Sequence, residues 1–366
     1  MLTFNAITNN AVTTATTGFT IRANAETSLQ IGQINANAGS FTYLGRDNFD
    51  AAQLTALNVS SGISMGNGTI GINSLADYSL GLITNSSGGT LRLTNAATAQ
   101  TRTATVTGLT GSGGTLTIQA DDTSKADVAT LLINNTSDYA SNAVLSNGGA
   151  LNSLALSKQG SGTQTLTGNS TYSGGTTVSA GTLLVDGAHT GAGAYNVSAG
   201  TLGGTGSITT ALNAGITFAN GAALSPGDNS ASNFSAALGS GVFDISAMAT
   251  NSKLLFTLDT VGGSDKVTLT TGTLSVGTLN SSEFAFTLGG GIGAGTYTLF
   301  DTNSAINYTS LDTASFALNG SYNGSLQFAN GTQDIQLIVS AVPEPSTWAL
   351  LAFSLMTVMV LRRRTA

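Results

Sequence analysis

Apolar and polar residues alternate with a period of two in short bursts along most of this chain, and glycine or asparagine separates one burst from the next. Gly88–Thr94 reads GGTLRLT and Gly113–Ile118 reads GGTLTI, while Gly181–Val185, Gly200–Thr205 and Gly272–Val276 each open with glycine followed by Thr-Leu. Such alternation predicts short strands with one buried face. The starts are irregularly spaced, nineteen residues apart between Gly181 and Gly200 and farther apart elsewhere. Short strands entered through glycine favour a coil of rungs over a hairpin meander, because every corner needs backbone angles that glycine adopts freely. Stacked rungs would bury one another's apolar faces, with Asn and Thr stacking along the axis near the corners.

Two stretches depart from this texture. Residues 241–340 are richer in phenylalanine, with alternating runs at Lys253–Leu258, Phe284–Leu288 and Tyr297–Phe300. They are read as further rungs or a separate antiparallel cap over the open end of the stack, and a continuation ending in a cap is expected. Residues 120–145, with the acidic positions Asp121, Asp122 and Asp127, are expected to hold one short helix around Ala126–Asn134 or a loop excursion.

Composition narrows the chemistry. The 366 residues include 47 glycines, one histidine and no cysteine, and only 8% are charged. Without cysteine there is no disulfide framework, thiol nucleophile or Cys-type metal site, and one histidine excludes a His-based metal cage. A net charge of −7 with eleven basic residues argues against a surface that tracks a nucleic-acid backbone. Glycine and serine richness can mark a linker, but an apolar fraction of 41% in alternating runs is a folding pattern, and 8% charge excludes charge-driven disorder.

The C-terminal tail carries the sharpest motif. Trp348–Leu361 is apolar apart from Ser354 and Thr357, and Arg362, Arg363 and Arg364 follow directly. As a helix these fourteen residues span about 21 Å, short of a ~30 Å hydrocarbon core unless flanking residues and snorkelling arginines lengthen it. The arginines predict a cytoplasmic stop, with the body across the membrane; without them eight basic residues face eighteen acidic ones, a net of −10. Val342, Pro343, Glu344, Pro345 and Ser346 precede the apolar run, and two prolines around a glutamate predict an extended, exposed hinge.

This order of Pro-Glu-Pro, apolar segment and terminal arginines resembles the PEP-CTERM sorting signal of Gram-negative bacteria. The resemblance covers residues 342–366 and implies export, transient single-pass anchoring in the inner membrane, recognition of Pro343, Glu344 and Pro345 by an exosortase-type enzyme, and delivery to the cell surface or an exopolysaccharide matrix. Export calls for an amino-terminal signal peptide, yet no basic residue precedes Arg22 and no long apolar run stands before it. A misplaced start or truncated reading frame is the expected cause, the alternative being that export fails.

A second resemblance lies in residues 156–185, LSKQGSGTQTLTGNSTYSGGTTVSAGTLLV. Lys158, Gly160, Gly162, Thr163 and Leu166, followed by Gly168, Tyr172, Gly174, Gly175, Thr176, Val178, Gly181 and Leu183, closely resemble the autotransporter-associated beta-strand repeat. Gly203–Ile208 and Leu224–Asp228 resemble the flank of such repeats. The resemblance implies an all-β fold, a right-handed parallel β-helix over residues 1–240, here joined to a single C-terminal transmembrane helix. The segments after residue 240 are not ten-residue amphipathic crossings, so an outer-membrane barrel is not expected.

Catalytic signals are sparse. Lys158 and Asp186 lie 28 residues apart, and Asp259 and Asp265 flank a Gly-Gly turn. Lys158 is expected at a rung edge in solvent, and His189, in the loop Gly187–Gly191, is expected to be solvated too. Asp121 and Asp122 lack the spacing of a calcium loop, and Tyr172 is expected to pack a corner rather than serve as a sugar platform. The expectation is a non-enzymatic surface or matrix protein with no cofactor or metal, whose partners are the sorting enzyme, the membrane and exopolysaccharide or envelope components, and not nucleic acid. An adhesin and a β-helix polysaccharide lyase or hydrolase are the alternatives.

Overall fold

A computed structural model of the chain describes residues 2–4, 7–9, 19–21, 28–36, 41–44, 56–72, 74, 76–94, 99, 101–121, 126–191, 193–211, 213–227, 232–249, 251–343 and 353–356. These residues are nearly all strand and turn, with one 3-10 turn at Ser281–Glu283.

The central strands form three parallel ladders that the chain visits in rotation. The first runs through Val128–Asn134, Ser153–Gln159, Thr176–Val178, Tyr195–Val197 and Ile216–Phe218. The second runs through Tyr139–Ser141, Thr163–Leu166, Thr182–Val185, Gly200–Gly204, Ala222–Pro226, Lys253–Leu258 and Phe284–Leu288. The third joins Ala188–His189, Ser207–Thr209 and the first half of Asn233–Asp244. Asn233–Asp244 then turns a corner near Gly239, φ 59°, and its second half continues the first ladder beside Ile216. Sequential parallel pairing on three faces is compatible with a β-helix.

Register gives the length of each circuit. Thr182 pairs with Thr201, nineteen residues on, whereas Asn233 pairs with Lys266, thirty-three residues on. In the second half of the stack the longer circuits are filled by larger side chains. The short coils are lined by Leu156, Val178, Leu183, Val197 and Leu202, while Phe234, Phe243, Phe256, Phe284 and Phe300 fill the wide ones. Phe256 and Phe300 meet edge to face at 5.6 Å, a geometry worth about 0.5–1.5 kcal/mol beyond area burial. The phenylalanines after residue 240 fill the interior of these wider rungs.

Residues from Asn233 to Leu311 extend the parallel ladders, through Lys266–Leu279 to Asn307–Leu311. The stack then ends in antiparallel strands: Gly295–Thr302 pairs with Asp334–Ala341, which pairs with Tyr322–Ala329, which in turn pairs with Phe316–Ala317.

The short helix or loop excursion expected around Ala126–Asn134 is corrected. Val128–Asn134 is a strand, and Ala129, Leu131 and Ile133 face inward at period two between Thr101–Thr110 and Ser153–Gln159. Tertiary pairing on both edges overrides local propensity there. The helix expected over Trp348–Leu361 lies mostly outside the described residues; residues 353–356 are helical, and among the described residues no helix is long and apolar enough to cross a membrane.

Candidate functional site

The repeat coil and the start of the sorting tail are the two places where the sequence signals meet structure. In Ser153–Gln159 alternation points Leu154, Leu156 and Lys158 inward. Lys158 thus stands in a column between Ile133 and Val178, fully buried. Its Nζ donates to the carbonyls of Gln159 at 2.7 Å, Gly160 at 3.0 Å and Ala180 at 3.3 Å, the last belonging to the next coil. Burial pushes its pKa down to about 8, and the nearby charge of Asp138 opposes the shift. The solvated placement expected for Lys158 is therefore corrected: the ammonium is an internal staple for a corner whose carbonyls turn inward.

The motif glycines make room for this staple. Gly160 has φ +71° and Gly181 φ +63°, and a Cβ on Gly181 would stand 2.3 Å from the Gly160 carbonyl oxygen and 2.7 Å from Lys158 Nζ. Gly162 and Gly174 press against the carbonyls of Ser137 and Leu154, whereas the nearest atom to a Cβ on Gly175 is 3.4 Å away. Lysine, corner glycine and next-coil glycine form one spatial unit although the last is 23 residues from the first.

The next corner holds a buried polar chain. Tyr172, Thr176, His189 and Tyr195 are each at most 2% exposed. The Tyr172 and His189 rings stack at 4.0 Å. His189 Nε2 donates to the Tyr172 carbonyl at 2.9 Å, because a carbonyl can only accept, and Nδ1 then accepts from the Tyr195 hydroxyl at 2.6 Å. Tyr172 and Thr176 share a hydroxyl bond of 2.6 Å. Burial lowers the His189 pKa, against the raising effect of its carbonyl partner, and burial raises those of Tyr172 and Tyr195. The solvated histidine expected in the loop is corrected: Gly191 lacks a Cβ where one would lie 1.6 Å from the Tyr172 carbonyl oxygen, so the loop folds onto the coil and closes over the ring.

Sequence reasoning missed Gln164, which is also fully buried. Its Oε1 accepts from the Leu109 amide at 2.9 Å and its Nε2 donates to the Leu109 carbonyl at 3.0 Å, across 55 residues. A polar residue at an inward alternation position was the available signal. Corner asparagines act similarly: Asn135 Nδ2 donates to the carbonyls of Ser137 and Thr163, and Asn85 Nδ2 to Asn142 Oδ1 at 2.7 Å.

Three of the carboxylates singled out from sequence have backbone partners. Asp186 accepts from the Thr205 amide at 3.0 Å and Asp259 from the Gly291 amide at 2.6 Å. Asp265, 1% exposed, accepts from the amides of Ser232 and Thr257. Lys158 is sealed inside the coil while Asp186 binds at a turn, so the two do not form an acid–base pair facing solvent. Asp122 lies outside the described residues.

At the far end Asp334–Ala341 completes the cap, and the Val342 amide donates to the Ser321 carbonyl at 2.8 Å. Pro343 follows, exposed. Glu344, Pro345, Trp348, Leu361, Arg362, Arg363 and Arg364 lie outside the described residues.

Residues 156–185 match the family model of the passenger-associated-transport repeat, and residues 341–364 match that of the PEP-CTERM protein-sorting motif. Both resemblances read from the sequence are thereby supported. The sorting motif is of the kind recognised by exosortase and implies export to the cell envelope or surface. No curated protein matches the chain significantly.

Proposed function

We propose that this chain is a non-enzymatic structural protein of the cell surface or extracellular matrix, a right-handed parallel β-helix tethered through its tail until an exosortase-type enzyme processes it. The observation that carries the reading is the exposed Pro343 directly after the cap's last strand, where the 341–364 match begins to leave the folded body. A processing enzyme needs a chain segment free of secondary structure, and Pro343 stands one residue beyond the last cap hydrogen bond. The right hand follows from the chirality of parallel crossover connections. A purely structural role is supported by the use of Lys158, His189, Asp259 and Asp265 inside the scaffold, which spends the ionisable groups on corners and turns. Before processing, the apolar tail spans the inner membrane with the arginines on the cytoplasmic side. Exopolysaccharide or envelope components are the partners that weakly polar Thr, Ser and Asn faces suit.

The test is the intact mass of the mature product from a host with an exosortase-type enzyme. Loss of the segment after about Pro343 is expected, and replacement of Pro343, Glu344 and Pro345 by alanine is expected to retain it. A wild-type product that keeps Trp348–Arg364 overturns the processed-matrix reading.

A further inference from the structure

A cavity of about 270 Å³ lies where the third ladder meets the antiparallel cap, lined by Asn233, Val261, Ser264, Lys266, Thr296 and Thr298 among others. One wall is the Gly262-Gly263 turn that Asp259 and Asp265 flank in the sequence. It is smaller than the roughly 300–1,000 Å³ clefts that take drug-sized ligands, which limits an occupant to about one ring.

Its walls are held rigidly. On one side the turn Thr260–Ser264 closes through the Gly263 amide donating to the Thr260 carbonyl at 2.9 Å, and Ser264 Oγ both donates to that carbonyl at 3.1 Å and accepts from the Asp259 amide at 2.8 Å. Asp265 fastens the base of the turn to Thr257 and Ser232, and Asp259 fastens its start to Gly291. On the other side Tyr297, 1% exposed, anchors Gly295–Thr302 by accepting from the Gly293 amide at 3.0 Å and donating to its carbonyl at 2.9 Å. A pocket made this way loses little entropy when filled.

The lining has a specific chemistry. Lys266 Nζ bonds Asp301 Oδ2 at 2.9 Å, with the side chains 28% and 41% exposed. One ammonium proton is used there and two remain to donate. Threonine hydroxyls at 296 and 298 and the Asn233 amide can donate and accept, and Val261, 57% exposed, supplies an apolar edge. Asp334 pairs with Asp301 across the cap, so two carboxylates accompany one lysine and the surroundings oppose an anion. A partly exposed ion pair contributes only about 0–1 kcal/mol to the fold, so the Lys266 ammonium can be shared with a ligand.

We propose that this cavity binds a single un-ionised sugar ring, with the Lys266 ammonium and the Asn233 side-chain amide bonding adjacent hydroxyls, Thr296 and Thr298 completing the polar wall, and Val261 covering an aliphatic C–H face. The inference rests on the surface-matrix reading for its setting, and it gives that reading a defined contact to neutral polysaccharide.

The experiment is saturation-transfer NMR on the full, unprocessed chain with methyl glucoside, methyl galactoside and methyl mannoside, and with glucuronate and inorganic phosphate as charged comparators. At least one neutral glycoside is expected to bind, and Lys266→Met and Thr298→Val are each expected to weaken it at least about tenfold at unchanged thermal midpoint. Val261→Asp, at an exposed turn, is expected to do the same if either of those variants fails to fold. The proposal is overturned if none of the three glycosides shows transfer, if all folded variants bind as wild type does, or if glucuronate or phosphate binds more tightly than every neutral glycoside. Because the chain used is unprocessed, binding without tail removal in the exosortase host would sink the sorting reading and keep the site, and the converse would sink the site alone.

Discussion

Replacing Lys158 tests whether the repeat's lysine is a structural staple. Lys158→Met keeps the methylene volume and deletes the ammonium, leaving the carbonyls of Gln159, Gly160 and Ala180 without that donor. Three charge-assisted bonds at about 1.5–3 kcal/mol each set a ceiling near 5–9 kcal/mol. Desolvation of the ammonium takes back a large share, as its lowered pKa indicates, so the net loss expected is about 2–4 kcal/mol. Lys158→Ala removes further buried methylenes at about 0.8 kcal/mol each and should lose about 4–6 kcal/mol. Because stacked rungs can unfold in parts, the assay is amide hydrogen exchange across residues 156–185 alongside urea denaturation. The pH dependence adds a second arm. The folded pKa, about 8, lies below the ordinary 10.5, so between these values the unfolded chain holds a proton that the folded one has released. The pH-dependent part of the stability therefore rises through that window, since the neutral amine is easier to bury than the ammonium, and it levels off above 10.5, adding to whatever the ammonium's bonds contribute below about 8. Lys158→Met should abolish that rise. A Met variant as stable as wild type, or more stable, would refute the reasoning, since it would mean that the buried charge costs more than its three bonds return.

Acid should weaken the next corner: His189 is neutral in the fold with its pKa below 6.5, so stability should fall as pH drops through 6.5 toward the folded value, where Nδ1 gains a proton and can no longer accept from Tyr195. Thermal melts between pH 7 and 5 would show this, and His189→Phe should flatten the slope. Gly191→Ala places a methyl group on the Tyr172 carbonyl and should cost more than about 3 kcal/mol or prevent folding, whereas Gly293→Ala, with open space around it, should shift the urea midpoint by less than about 0.5 kcal/mol equivalent. Gln164→Leu strands the buried amide and carbonyl of Leu109 and should cost about 1–3 kcal/mol by urea denaturation; a neutral result would show that this bridge across 55 residues contributes nothing.

Alternation in the sequence was enough to predict strands at Gly181–Val185 and Gly200–Thr205 and to favour stacked rungs, because a half-buried strand imposes its period on every residue it contains. At Val128–Asn134, beside the acidic positions Asp121, Asp122 and Asp127, a short helix or a loop excursion was expected, and the two flanking strands decided otherwise. The repeat and the tail were legible because each is a contiguous string with ordered spacing. Lys158 and His189 were misplaced for one reason. Local sequence says which residue types a corner contains, but not that Ala180 will bring a carbonyl to the lysine or that Tyr195 will bring a hydroxyl to the imidazole.

By itself, then, the chain determined its local geometry and its sorting address: strands from period two, corners from glycine, and a terminal segment that matches a protein-sorting motif. Tertiary structure alone decided circuit length, which polar groups are sealed inside, and where a polar cavity opens against the cap. The physical reason is that each rung completes its hydrogen bonds and buries its inner face only against the rungs beside it, nineteen to thirty-three residues away.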